Sequence, residues 1–239
     1  MPQNILLVSA LILVVIALYG AFSYIRIQNL IAHSATLVAK SIPYQQNPAT
    51  PTLRVLFIGD SAGVGVGASD SQHSIAGLFG HDHADWSIKN ISVSGRRVAQ
   101  LIDPLKKLPA QSFDIVFVQI GGNDSVNFTD TTALATNLKI VLTDAKRVGK
   151  RVIVYSTGNV GDAPLFPRPL AWIWERQTRI VRNIFISTSK DIGVTYVDLF
   201  REHDVDPFYK EPLKYHTSDV FHPSDYGYQY WYDAIKKTL

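Results

Sequence analysis

The sequence contains no cysteine. This absence excludes disulfide bonds, thiolate metal sites and a cysteine nucleophile, although it leaves the cellular compartment open. An excess of charge of one sign is also missing, because 23 Lys and Arg residues are scattered among 20 Asp and Glu residues and give a formal net charge of +3. A nucleic-acid-binding groove requires a clustered basic stripe. We therefore expect no nucleic-acid partner.

The N-terminal segment lacks charged side chains altogether, and Ile5–Ile25 is a strongly apolar run. As a helix, this run would extend over about 30 Å, which is enough to cross the hydrocarbon core of a bilayer. Tyr19, Phe22 and Tyr24 lie near its end, where aromatic rings favour the membrane interface. We predict one transmembrane anchor over residues 1–27. A cleaved signal peptide is the alternative, but it would have a basic segment before a shorter apolar core.

The membrane orientation stays open. Arg26 and Lys40 follow the apolar run, which weakly favours a cytoplasmic location for the rest of the chain, but two charges do not decide it. Residues 28–52 are predicted to form a juxtamembrane segment, amphipathic and helical as far as Lys40, followed by a polar linker with three prolines. The folded domain is predicted to occupy residues 53–239.

From Leu53 onward, short apolar runs alternate with segments of helical periodicity. The apolar runs predict five buried strands, at Arg54–Ile58, Trp86–Val93, Ile115–Ile120, Arg151–Tyr155 and Val194–Val197. Helical spacing predicts helices within 98–105 and at Thr131–Val148, Leu170–Ile186 and Asp225–Lys237. Strands that alternate with helices are typical of a parallel sheet covered on both faces. Functional sites in such sheets form at the carboxyl ends of the strands.

The first predicted strand is followed by a glycine-rich segment that contains Ser61. Glycines on both sides of this serine allow a tight turn and the close approach of a substrate. The serine can present its hydroxyl above the sheet edge, and the start of the next helix can offer N–H groups to an oxyanion. A phosphate-binding loop is the alternative, but the segment lacks Gly-Lys-Ser/Thr and the glycine spacing of dinucleotide-binding loops.

Two further motifs supply polar groups suited to acyl transfer. The third predicted strand ends in Gly-Gly-Asn-Asp, where the amide of Asn123 can donate a hydrogen bond to an oxyanion. The same residues also favour a simple turn, and by itself the motif leaves both interpretations open. Near the C-terminus, Asp219 and His222 are close enough for the carboxylate to orient the imidazole as a general base. Such a pair is weak alone, but acyl transfer requires all three roles together.

In this order, Gly59-Asp60-Ser61, Gly95, Gly121-Gly122-Asn123-Asp124 and Asp219-Val220-Phe221-His222 resemble the four blocks of the SGNH/GDSL hydrolase family. The blocks extend from about residue 55 to residue 230, which is nearly the whole chain beyond the predicted anchor. The resemblance implies a three-layer α/β/α, flavodoxin-like fold with a central parallel sheet. One departure is Ala62, which stands where the family name has leucine; that position varies and does not affect the chemistry.

The resemblance also implies the roles of individual residues. Ser61 would be the nucleophile, His222 the base and Asp219 the acid that orients the base. The backbone N–H groups of Ser61 and Gly95 and the side chain of Asn123 would form the oxyanion hole. Neither a metal nor a cofactor is required. The expected activity is hydrolysis of carboxylic esters through an acyl-serine intermediate.

The substrate is left open between small-molecule, lipid and glycan esters, and the oligomeric state is unknown. An acyltransferase, or a deacetylase acting on envelope glycans, would use the same residues. A non-catalytic, membrane-tethered binding protein is the alternative from another class. It would be expected to have lost a catalytic residue, and none of the expected residues is missing here.

Other chemically distinctive residues receive simpler interpretations. The cluster His81-Asp82-His83-Ala84-Asp85 resembles a set of metal ligands, but we interpret it as a short polar stretch between predicted secondary-structure elements. Arg96-Arg97 is interpreted mainly as a solvated pair at the edge of the site. If the helix that contains Trp172 and Trp174 is regular, these two side chains cannot both face the core of the protein. One of them is expected to line a cleft or to contact the membrane. The loops 157–169 and 201–217 follow strands and are expected to overhang the site.

Overall fold

The structure is a computed structural model that describes residues 2–239. Its strands are β1 (Leu53–Gly59), β2 (Trp86–Asn90), β3 (Phe113–Gln119), β4 (Gly149–Tyr155) and β5 (Thr195–Val197). Its α-helices are α1 (Pro2–Lys40), α2 (Ser61–Val64), α3 (Ile75–Asp82), α4 (Ile102–Lys106), α5 (Gly122–Val126), α6 (Thr131–Val148), α7 (Ala171–Ile192), α8 (Pro207–Lys210), α9 (Pro212–Tyr215) and α10 (Asp225–Lys236). Short 3₁₀ helices occupy Ser71–His73, Val98–Leu101, Val160–Asp162 and Arg168–Leu170.

The five strands form one parallel sheet in the order β2-β1-β3-β4-β5. Val55 of β1 lies beside Ile88 of β2 on one side and Ile115 of β3 on the other. The strand order reverses direction at β1, so the carboxyl ends of β1 and β3 border the crevice in which open α/β sheets bind their ligands.

Helices cover both faces of the sheet because the strand side chains are apolar on both sides. On one face, Val55 and Phe57 pack in a cluster with residues of α3 and α10. On the other face, Leu56 and Ile58 pack in a second cluster with residues of α4, α6 and α7. The alternation of side chains along a strand assigns each pair to its own layer. The predicted three-layer α/β/α fold with a parallel sheet is confirmed.

Two predicted element ends differ from the structure by three residues or more. The second strand was expected to reach Val93, but β2 ends at Asn90, whose Oδ1 accepts a hydrogen bond from the N–H of Ser92 and turns the chain. The long helix was expected to end at Ile186, but α7 continues to Ile192. Its last turns bury Thr188 and Ser189, two polar residues that the apolar pattern did not reveal.

The N-terminal helix α1 continues without a break from Pro2 to Lys40. It contains an 18-residue window with a mean hydropathy of 2.3, and is long and apolar enough to cross a membrane. A signal sequence near an N-terminus has the same properties. The polar segment after α1 lies against the edge strand β2, where the backbone of Gln46 exchanges two hydrogen bonds with Ile88. The residue that begins β1, Leu53, is also where we predict that the folded domain begins.

Candidate active site

Ser61 lies at the carboxyl end of β1, as the first residue of the short helix α2. Asp60 caps this helix, because its Oδ1 accepts a hydrogen bond of 3.0 Å from the N–H of Ala62. The hydroxyl of Ser61 is therefore not needed to cap the helix. It instead makes a hydrogen bond of 2.9 Å with Nε2 of His222.

Asp219, His222 and Ser61 form a continuous chain of hydrogen bonds. Nδ1 of His222 lies 2.6 Å from Oδ2 of Asp219, and both side chains are buried. A carboxylate can only accept, so Nδ1 carries the proton and donates it. In the neutral ring Nε2 is then the acceptor for the Ser61 hydroxyl. This tautomer is the one that a general base needs in order to take the serine proton.

A tight turn orients the Asp219 carboxylate. Its Oδ1 accepts hydrogen bonds from the N–H groups of Phe221 and His222, at 3.0 and 2.9 Å. Burial by itself raises the pKa of Asp219, but the hydrogen bond and charge of His222, together with these backbone donors, outweigh burial and lower the pKa to about 2. The group is therefore a carboxylate at neutral pH and can stabilise an imidazolium.

Asn123 lies in the first turn of α5, directly after β3, where Gly121 allows the sharp turn by adopting a φ of 116°. Its Nδ2 donates one hydrogen bond, of 3.0 Å, to the carbonyl of Arg96. The neighbouring Asp124 accepts a hydrogen bond from the N–H of Val98. These two bonds attach the loop after β2 to α5, and an amide nitrogen still has a second proton to offer.

Gly95 belongs to this loop and has a φ of 82°. Within the described part of the chain, the N–H groups of Ser61 and Gly95 donate no hydrogen bond to protein atoms. The structure brings Ser61, His222 and Asn123 to the lining of one pocket. Asp219 is hydrogen-bonded to His222 but is not part of this lining, and neither is Gly95. Gly95 is next to Arg96, which accepts the Asn123 hydrogen bond.

The pocket above Ser61 has a mostly apolar wall. Both loops expected to overhang the site contribute to it, the first through residues 157–160 and 163, the second through Phe208 and His216. Trp231 of α10 and Phe221, beside the base, complete the apolar lining. Two other apolar side chains of these loops lie elsewhere, since Phe166 is packed behind the pocket and Tyr209 is half exposed.

Two buried titratable groups of the site were not singled out from the sequence. Burial raises the pKa of Asp60 to about 7, against the opposing hydrogen bond from Ala62, and the charge of Asp124 raises it further. Burial also lowers the pKa of His216 to about 4, so its ring is neutral at pH 7. Nδ1 of His216 donates a hydrogen bond to the carbonyl of Pro212. Nε2 is then a hydrogen-bond acceptor in the pocket wall. His216 belongs to no motif, and Asp60 belongs to the Gly59-Asp60-Ser61 block, but a short motif does not show whether a side chain is buried.

A carboxylate cluster lies behind the first loop. Asp162 is buried, and its Oδ1 accepts a hydrogen bond of 2.9 Å from Nε2 of His203. Its Oδ2 has no hydrogen-bond partner among the described residues. Burial raises the pKa of Asp162 to about 7; the charge of His203 opposes this, and Asp206 and Glu175 raise the pKa further.

Because the pKa of Asp162 is raised in the folded protein, we predict that the free energy of unfolding falls as the pH rises. Between the unfolded pKa of 3.8 and the folded value near 7, the folded chain keeps a proton on Asp162 that the unfolded chain has released. Asp162→Asn should make the melting temperature less dependent on pH in that window, by about 2–4 °C, as expected for roughly 1 kcal/mol. Thermal melts of the detergent-solubilised chain at pH 4.5 and 7.5 measure this. Asp204→Asn, at an exposed position of the same region, is the control. An unchanged pH dependence in Asp162→Asn would contradict the prediction.

The residues of the histidine cluster, at the end of α3 and just beyond it, do not converge. His83 stacks on Trp86 with ring centroids 3.9 Å apart, and His81 is exposed beside Asp82. Among the residues that the structure describes, no group of three or more His, Cys, Asp or Glu side chains is arranged to hold a metal ion. Arg96 donates to the carbonyl of Ile91 and does not line the pocket.

Solved structures share this fold at low sequence identity. A lipolytic protein of the G-D-S-L family from Veillonella parvula superposes with a TM-score of 0.63 at 14% identity, over 78% of this chain and 97% of that one. An extracellular lipase from Streptomyces rimosus superposes with a TM-score of 0.61 at 16% identity, over 80% of this chain and 100% of that one. An acetyl xylan esterase from Geobacillus stearothermophilus superposes with a TM-score of 0.51 at 19% identity, over 79% of this chain and 94% of that one. No curated protein sequence matches the chain.

The model of the GDSL-like lipase/acylhydrolase family matches residues 57–230. This range begins within β1, before Ser61, and ends within α10, after His222. It therefore covers most of the sheet and of both helical layers, and it includes Ser61, Gly95, Asn123, Asp219 and His222. The chain belongs to the GDSL-like lipase/acylhydrolase family.

Proposed function

We propose that the protein is a serine hydrolase that cleaves carboxylic esters through an acyl-serine intermediate. The observation that carries this proposal is the continuous hydrogen-bond chain from Asp219 through His222 to Ser61 at the carboxyl end of β1. The family match supports acyl hydrolysis as the reaction class. A buried carboxylate, a neutral imidazole and a serine hydroxyl in this order are what nucleophilic catalysis by serine requires.

The proposed reaction begins when Ser61 Oγ attacks the ester carbonyl while His222 Nε2 takes its proton. Asp219 stabilises the imidazolium that forms. As the tetrahedral intermediate collapses, the imidazolium returns the proton to the leaving alcohol, and the acyl group remains on Ser61. His222 then removes a proton from water as the water attacks the acyl-serine. When this second tetrahedral intermediate collapses, the imidazolium returns the proton to Ser61 Oγ and the acid is released.

The oxyanion of each tetrahedral intermediate would be held by the N–H groups of Ser61 and Gly95 and by Nδ2 of Asn123. Two observations support this assignment. The two N–H groups have no protein acceptor among the described residues. The hydrogen bond from Asn123 to Arg96 holds the Asn123 side chain and the Gly95 loop in one arrangement. Donors that are already in place need no reorganisation when negative charge develops.

We also propose that α1 is a retained membrane anchor rather than a cleaved leader. From the end of the apolar run onward, one stripe of α1 is partly buried, comprising Ser23, Arg26, Ile27, Leu30, Ser34, Leu37 and Val38. The spacing of three and four residues is that of one helical face. Arg26 donates a hydrogen bond of 2.7 Å to the carbonyl of Pro164. A leader that is removed has no need of such a face, so these contacts support anchoring. We propose residues 1–27 as the anchor, 28–52 as the connecting segment and 53–239 as the hydrolase domain.

The serine hydrolase proposal is tested by covalent labelling of the full chain with a fluorophosphonate, which reacts with serines activated by a base. We expect hydrolysis of short-chain or long-chain p-nitrophenyl esters, inhibition by the reagent, and a single adduct that peptide mapping locates on Ser61. An adduct on another serine, or ester hydrolysis that persists after complete labelling of Ser61, would exclude Ser61 as the nucleophile. Heat-denatured protein is the control for non-specific labelling.

A further inference from the structure

The anchor helix contacts the segments that form the rim of the proposed active site. Arg26 donates to the carbonyls of Pro164 and Leu165, one and two residues beyond Ala163 of the pocket wall. About two helical turns later, His33 makes a hydrogen bond of 2.7 Å with Ser218, the residue before Asp219. The N–H of Leu165 in turn donates to the carbonyl of Val220, between the proposed acid and base.

Because of these contacts, the point at which α1 leaves the domain lies beside the active-site rim. Before Arg26, the large apolar side chains that the structure describes are exposed, as shown by Leu11 at 64% and Phe22 at 65% exposed. A bilayer would cover this segment, and Arg26, its first charged residue, would lie at headgroup depth. The loop that Arg26 contacts would then lie at the same depth.

A groove separates α1 from this loop. Its helix wall consists of Tyr19, Phe22, Ser23 and Arg26, and its loop wall consists of Pro164, Phe166, Pro167 and Arg168. The helix wall belongs to the end of the apolar run, so the groove opens toward the bilayer. It combines apolar side chains with two arginines, a composition that suits an acyl chain and an anionic headgroup.

Only one layer of side chains separates the groove from the pocket. Phe166 lines the groove and packs in a small apolar cluster with Val160 and Ala163, which line the pocket. It also contacts Phe221 edge to face, with ring centroids 6.2 Å apart, and Phe221 lies next to the proposed base. The groove and the pocket therefore share an apolar wall, and an acyl chain in the groove would reach Ser61 by displacing the side chains of this wall.

Exposed apolar side chains continue this surface where α7 begins. Leu170 is 48% exposed and Trp172 is 58% exposed, two and four residues beyond Arg168 of the groove. Trp174, in contrast, is stacked on Phe166 within the protein. Large exposed apolar groups beside a membrane helix are expected where a protein rests on a bilayer.

We infer that the active-site rim rests on the bilayer and that the groove between α1 and residues 164–168 admits the acyl chain of a membrane lipid ester. This inference rests on the proposed hydrolase function and specifies the source of its substrate. A soluble glycan or small ester would need no groove at headgroup depth.

Contact of the rim with the bilayer is tested by tryptophan quenching, which needs no enzymatic activity. The full chain is placed in vesicles of phosphatidylglycerol and phosphatidylcholine whose acyl chains are brominated close to the headgroup. The difference between wild type and Trp172→Phe isolates the emission of Trp172, and we expect bromine to quench it. Access of aqueous iodide to Trp172, without quenching by bromolipid, would overturn the inference.

The groove is tested by filling it with Ser23→Trp. We expect the KM for a long-chain lipid ester in vesicles to rise at least about ten-fold, the effect of losing apolar contact with roughly two methylene groups. Hydrolysis of soluble p-nitrophenyl acetate should be unchanged. Ala21→Trp, at an exposed position on the opposite side of α1, is the control.

The outcomes separate the two proposals. An unchanged KM for the vesicle ester in Ser23→Trp, or an equal loss with both esters, would exclude the groove as the route while leaving the hydrolase proposal intact. Failure of the wild type to cleave either ester would instead refute the hydrolase proposal, and the quenching experiment would still decide whether the rim contacts the bilayer.

Discussion

Ser61→Ala is expected to lower kcat for ester hydrolysis by at least about 10³-fold, and by up to roughly 10⁶-fold if the residues act as a unit. The hydroxyl is the proposed nucleophile, and its hydrogen bond with His222 is the one that it makes in the described structure. Residual activity would come from the oxyanion donors, which the substitution leaves in place. Initial rates with a short-chain p-nitrophenyl ester measure the effect.

The fold should tolerate this substitution, since Asp60 rather than Ser61 caps α2. Comparable melting temperatures for wild type and Ser61→Ala would establish that the loss is catalytic. Ser187→Ala, at an exposed position of α7, is the matched control and should retain full activity. Equal activity of wild type and Ser61→Ala would show that Ser61 is not the nucleophile.

Asp219→Asn is expected to lower kcat by roughly 10⁴-fold, the effect seen when the acid of a serine triad becomes an amide. Two backbone N–H groups, those of Phe221 and His222, hold Oδ1 as an acceptor. The amide nitrogen must therefore take the place of Oδ2 and donate to Nδ1 of His222. The imidazole is then forced to carry its proton on Nε2, where it can no longer accept the proton of Ser61.

This prediction distinguishes two roles of Asp219, orienting the imidazole of His222 and stabilising the fold. Asp233→Asn, at an exposed position of α10, is the control and should not change kcat. If Asp219→Asn melts like the wild type yet loses activity, the carboxylate acts through the tautomer and charge of His222. Nearly full activity in Asp219→Asn would show that another group orients the imidazole.

The layers of this protein follow from local patterns in its sequence. Apolar runs in β1 and β3 are buried on both faces because helices must cover both sides of a parallel sheet. Apolar spacing likewise predicted Thr131–Val148, which is α6 residue for residue. Short-range spacing also suggested the pairing of Asp219 with His222, since a turn of three residues brings their side chains together.

Other local patterns were insufficient because distant partners decide the outcome. Prolines and polar residues between Lys40 and Leu53 are typical of a linker, but Gln46 pairs with Ile88 in the edge strand β2. Composition shows that such a segment is polar, and it does not show that an unpaired strand edge is available. The continuation of α7 beyond Ile186 similarly depends on burial of polar residues against the rest of the domain.

Residue types and their order were enough to indicate a three-layer α/β/α fold and the chemical groups of its site, because both depend on periodicity and short motifs. Tertiary structure alone joined Ser61 to His222 across 161 positions and placed Arg26 against Pro164 across 138. Contacts over such separations depend on how the layers pack, and no spacing within the sequence encodes a distance in space. The relation between the anchor and the active-site rim therefore became visible only in the folded chain.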